Sequence, residues 1–90
     1  MISWGFAFGF SDLAVLDTLF VKPSIYIYVS GDAGDIVYEN TAGLAQYFPG
    51  AQANGLYPIA ARRILTSGIV NGNSQTTTAT DLVYCSTNIP

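Results

Sequence analysis

Few side chains in this sequence could do chemistry. There are six carboxylates, three cations, one cysteine and no histidine. Without imidazole there is no Ser-His or Cys-His nucleophile pair and no histidine metal ligand. The closest carboxylates are Asp32 and Asp35, within Gly31-Asp32-Ala33-Gly34-Asp35. Clustered carboxylates suit a hard cation. An aspartate between glycines, however, ordinarily bonds its own turn backbone, so no metal is expected there. Asp12 and Asp17 read as a cap and a solvated residue. Residues 68–73 hold two glycines but no lysine and no following helix, so they are not a phosphate cradle. Arg62 and Arg63 are adjacent; on a strand they point to opposite faces and do not close on one anion. Tyr26, Tyr28, Tyr38 and Tyr84 could stack a sugar or a base, although covering a sheet face is the commoner role of tyrosine. Cys85 has no internal disulfide partner, and in an alternating strand it reads as a buried thiol. These residues point away from an enzyme and imply no cofactor.

Composition points towards contacts. Half of the residues are hydrophobic and only 10% are charged, against roughly 25% in ordinary soluble domains. A small chain with so few charges has apolar surface to spare, and a protein interface is the natural use for it. The net charge is −3, and the only cations are Lys22, Arg62 and Arg63. That argues against nucleic-acid binding, which needs many cations along a phosphate backbone. Residues 1–10 lack a basic leader and are too short to cross a bilayer, so neither a secretory signal nor a membrane partner is expected.

The elements that must position these residues read as strands. In 24–40, Ile25, Ile27 and Val29 alternate with Tyr26, Tyr28 and Ser30. This gives an aliphatic face and a hydroxyl-bearing face. The glycine–aspartate stretch then predicts a hairpin turn into a second strand at 36–39. Further strands are predicted at 44–48, ended by Pro49-Gly50, at 58–66 and at 80–86, with 67–77 as a loop. Strands at this spacing predict a small antiparallel β sandwich or barrel. The first 21 residues look different. Trp4, Phe6, Phe8 and Phe10 alternate with Gly5, Ala7 and Gly9, which as extended chain makes one aromatic edge. Ser11 could cap a short helix over 12–20, the alternative being extended chain. The expected organisation is an N-terminal arm, 1–21, and a β domain, 22–90. The interface is expected on Trp4, Phe6, Phe8, Phe10, Arg62 and Arg63.

The order of signals after residue 24 resembles a known pattern. A strand runs into Gly31-Asp32-Ala33-Gly34-Asp35 and a second strand follows. Then come Gly55-Leu56-Tyr57-Pro58, the basic stretch Arg62-Arg63-Ile64-Leu65-Thr66-Ser67-Gly68, the turn Thr77-Thr78-Ala79-Thr80-Asp81 and a closing strand at Leu82-Val83-Tyr84. This is similar to a family of small virion structural proteins of tailed phages and gene-transfer agents, some described as head spike base proteins. The resemblance covers about 24–86. A longer loop before Asn54, added residues at 68–75 and the aromatic arm depart from it. It implies a structural role in the virion: a capsid decoration, cement or vertex protein that contacts the major capsid protein or other virion proteins as a homo-oligomer. A tail or neck component is the alternative within that class, and a carbohydrate- or host-surface-binding module is the alternative outside it. The resemblance carries no catalytic residues.

Overall fold

The computed structural model describes residues 10–86. Among them run nine strands and no helix: β1 (Phe10–Leu13), β2 (Tyr26–Val29), β3 (Gly34–Glu39), β4 (Ala45–Ala51), β5 (Leu56–Tyr57), β6 (Arg63–Leu65), β7 (Ser67–Val70), β8 (Asn73–Thr76) and β9 (Leu82–Ser86). One sheet has the order β1-β9-β2-β5 and a second β4-β3-β6, every pairing antiparallel, with β7 and β8 as a separate ribbon. The all-β antiparallel expectation holds.

The two sheets share one core. Ile27, Val29, Leu82 and Tyr84 come from the first sheet, Ile36, Ala51 and Ile64 from the second, and Ile59, Ala61 and Ala79 from connections. β9 is central in its sheet and buried along its whole length, so Val83 and Cys85 are buried on the face away from that core. Burial also pushes the Cys85 thiol pKa up, as expected for an inert core cysteine.

The predicted hairpin at 24–40 does not form, because β2 and β3 belong to different sheets. The link between them is bound by residues far along the chain. Ser30 N–H donates to the Asp81 carbonyl, Gly31 N–H to that of Thr80, and Thr80 N–H to that of Asp32, each at 3.1 Å. Three threonine hydroxyls complete the clasp. They accept from the N–H groups of Asp32 (Thr80, 2.7 Å), Asp35 (Thr78, 2.8 Å) and Val37 (Thr77, 2.8 Å). The glycine–aspartate motif is thus the mate of the threonine–alanine motif. Gly34 is required by this fit, since a Cβ there would lie 2.5 Å from the Ala79 nitrogen.

Four other expectations change. Residues 67–77 are the ribbon β7–β8, turned at Asn71-Gly72 with φ of 52° and 81°. Two successive positive φ values are the signature of a tight type I′ turn. Pro49-Gly50 does not end β4; it bulges, so that two residues of β4 stand across from Asp35 alone between the pairs Gly34–Ala51 and Ile36–Phe48. Residues 58–66 are not one strand, since β5 ends at Tyr57 and β6 starts at Arg63. Ala61 and Ile64 are consequently both buried although an odd spacing separates them. The helix over 12–20 is absent, because tertiary partners take its backbone donors. Ala14, Asp17 and Phe20 donate to the carbonyls of Leu82, Ile64 and Arg62 at 2.8, 2.7 and 2.9 Å.

Those bonds also move the arm boundary. From Phe10 onward the chain is part of the fold: β1 pairs with β9, and 14–20 crosses the side of the sandwich from β9 to β6 as a strap. Ala14 and Phe20 turn inward, and Phe20 stacks on Tyr84 with ring centroids 3.9 Å apart and planes 3° apart.

Candidate interaction surface

The strap, with Leu13 and Val21 on either side of it, turns its other side chains outward. Leu13, Val15, Leu16, Leu19 and Val21 are 43–79% exposed. Along an inward-facing segment such residues would be core; here only Ala14 and Phe20 reach it. The turn that sets this arrangement is local: Thr18 N–H donates to the Val15 carbonyl at 3.2 Å, and Asp17 adopts φ 62°. The one charge between Leu13 and Val21 is Asp17. Its carboxylate is committed to Thr66, accepting from the hydroxyl at 2.6 Å and the N–H at 2.9 Å. These bonds, the hydroxyl's first, hold the Asp17 pKa below the usual carboxylate range. The strap therefore offers a nearly uncharged apolar row on a backbone fixed to both sheets.

An open groove of about 430 Å³ adjoins the strap's first half, walled by residues 13–16 on one side and 77–82 on the other. Its far wall is the threonine clasp, so the groove lies over a junction that fixes both sheets. Such a shape with an apolar lining suits side chains of a partner.

The second feature is ionic. Arg63 stands across from Glu39 in the β3–β6 register, and Arg62 N–H donates to the Glu39 carbonyl at 2.9 Å. Both side chains close on one carboxylate oxygen: Arg62 Nε and Arg63 Nε reach Glu39 Oε1 at 2.6 and 2.7 Å. The expected divergence of the two arginines fails because the strand begins only at Arg63. Arg62, before it, is bent back onto Glu39. The pair holds the Glu39 pKa down, Arg62 being the main cause. Since Phe20 is bonded to the Arg62 carbonyl, the arginines lie at the strap's second end.

Asp35 serves the β4 bulge. Its carboxylate accepts from Gly50 N–H at 3.0 Å and from the Tyr47 hydroxyl at 2.8 Å. The Gly50 bond, and then the Tyr47 bond, lower its pKa. Among the described residues no three of His, Cys, Asp and Glu are grouped to hold a metal ion.

The tyrosines named from sequence do not share a platform. Tyr84 is buried under Phe20, and Tyr38 belongs to the second sheet and packs on the core. Only Tyr26 and Tyr28 share a face, on β2, where Tyr28 donates to Asn54 at 3.0 Å. Of the expected interface residues, Trp4, Phe6 and Phe8 lie outside the described residues. Phe10 opens β1 opposite Ser86, and Arg62 and Arg63 are tied to Glu39. Sequence reasoning missed the strap because the spacing of Leu13, Leu16 and Phe20 mimics a helical stripe. The sign available was the excess of apolar residues between Leu13 and Val21 over what one short helix face needs. Comparison with known protein families, with curated proteins and with solved structures finds no match for this chain.

Proposed function

We propose that this chain is a structural protein of a tailed-phage virion, which decorates or cements the particle by protein–protein contact through the strap. The observation that carries the reading is the row Leu13, Val15, Leu16, Leu19 and Val21, held outward on a backbone bonded to both sheets. Contiguous exposed apolar surface of a few hundred Å² is a common mark of an interaction site. The order of glycine–aspartate, basic and threonine–alanine motifs, similar to that of small virion proteins, supplies the class of partner. The groove beside the strap gives a capsid protein's side chains a place to enter. The Arg62–Arg63–Glu39 cluster gives the contact a polar margin of the kind that surrounds interface cores.

The test is compositional. Particles purified from the source of this chain, analysed by quantitative mass spectrometry, are expected to contain it at a fixed ratio to the major capsid protein. Its absence from particles that are otherwise complete overturns the reading.

A further inference from the structure

We infer that Asn71 is a site of spontaneous covalent modification, where the side-chain amide is converted to aspartate or isoaspartate, and that the fold protects the same dipeptide at Asn54.

The chemistry needs an asparagine followed by a residue whose backbone nitrogen no side chain shields, and glycine supplies it. A bond forms between Gly72 N and Asn71 Cγ, and the Cγ–Nδ2 bond breaks. The displaced nitrogen leaves as ammonia, taking the proton lost from the Gly72 N–H. Water then opens the cyclic imide at one of its two carbonyls. One opening gives aspartate on the original backbone. The other gives isoaspartate, in which the backbone runs through the former side chain. Nothing is oxidised or reduced.

Asn-Gly occurs twice in the sequence, at 54–55 and at 71–72. Both asparagines have positive φ, 63° and 52°, so backbone conformation there does not distinguish them. Hydrogen bonding does. Asn54 N–H donates to the Val29 carbonyl at 2.7 Å, and its Oδ1 accepts from the Tyr28 hydroxyl at 3.0 Å. Gly55, which would supply the nucleophile, donates its N–H to the Gln52 carbonyl and accepts from Val29 N–H, each at 3.0 Å. Tyr57 also packs on Gly55, since a Cβ there would lie 2.5 Å from the tyrosine oxygen. The tip of the β7–β8 ribbon is open by contrast. Asn71 and Gly72 are exposed, and a Cβ built on Gly72 meets nothing within 4 Å. Among the described residues neither the Asn71 side chain nor the Gly72 N–H has a hydrogen-bond partner. These two residues are the whole loop between the paired Val70 and Asn73. A tip of this kind opens locally at little cost, without disturbing the rest of the fold.

The two products act differently on the ribbon. Asp-Gly suits the same type I′ turn and adds one negative charge to a chain of net charge −3. Isoaspartate lengthens the backbone of a loop that holds only two residues, which disturbs the Val70–Asn73 register. The ribbon rests on the second sheet where Gly68 meets Val37 and Ala45, so its loosening reaches that sheet.

The test follows both positions in one sample. The full chain is held at mildly alkaline pH, folded and in denaturant, and peptides carrying 54 and 71 are followed by mass spectrometry. Chromatography separates the aspartate from the isoaspartate form. In denaturant both positions should convert at similar rates, because neither is held. In the folded protein conversion at 71 should outrun that at 54 by about tenfold or more, since several further hydrogen bonds must open at 54. Equal rates at the two positions in the folded protein overturn the inference. So does an unchanged Asn71 over a time in which the denatured chain converts.

Discussion

Single side chains here act mostly by satisfying distant backbone. Thr77 is the plainest case, because its hydroxyl accepts from Val37 N–H at 2.8 Å and donates to the Leu65 carbonyl at 2.6 Å. It thereby bonds both strands of the β3–β6 pair. Thr77→Val keeps the shape and strands two partly buried backbone groups, which should cost about 1–3 kcal/mol in chemical denaturation. Thr77→Ser should recover most of that loss. Three carboxylates, Asp17, Asp35 and Glu39, have pKa values held below the ordinary range by the bonds described above. A depressed folded-state pKa stabilises the fold above the unfolded value, about 4, and that stabilisation disappears as pH falls through the folded value. The melting temperature should therefore stay level from neutral pH to about 5 and fall below about 4. Asp35→Asn should lower it at neutral pH and make its acid decline shallower. An acid decline as steep in Asp35→Asn as in wild type would mean that Asp35 contributes nothing to it.

At the level of elements, the glycines separate two kinds of constraint. Gly72 has φ 81° and nothing within 4 Å of a built Cβ, so Gly72→Ala meets only backbone strain, about 1–2 kcal/mol. Gly34→Ala drives a methyl into the Thr78–Ala79 backbone and should cost more, about 3 kcal/mol or above, unless the clasp opens. Equal losses in urea melts of the two variants would show that the clasp is looser than drawn. These positions also mark what was legible beforehand. The alternation of Ile27 with Tyr28 and of Leu82 with Val83 identifies strands, because a strand's period of two is local. Strand pairing is not local: the turn-like Gly31–Asp35 stretch finds its hydrogen bonds some 45 residues later, at 78–81. Asn71-Gly72 carried a hairpin signal that the polar residues around it masked. The strap was hidden for the opposite reason, since its apolar spacing fits a helix while its donors are taken by β9 and β6. The low charge content announced apolar surface; only the folded path of 13–21 shows where exposed apolar side chains collect.

For the whole molecule, a sandwich whose sheets are fastened by the threonine clasp carries a strap whose inner side packs on the core and whose outer side is exposed, the surface assigned to contact in the proposed function. The proposed contact needs a fixed backbone behind the apolar row, which the strap's bonds to both sheets provide. Replacing outward residues leaves the core untouched, which lets binding be separated from folding. The decisive measurement is the occupancy, on particles lacking this chain, of added wild type and of Val15→Asp with Leu19→Asp, each shown by circular dichroism to be folded. The account predicts saturable binding of the wild type and an affinity about tenfold or more weaker for the variant, the size of loss that truncating an interface centre produces. Equal binding by the two folded proteins would contradict it.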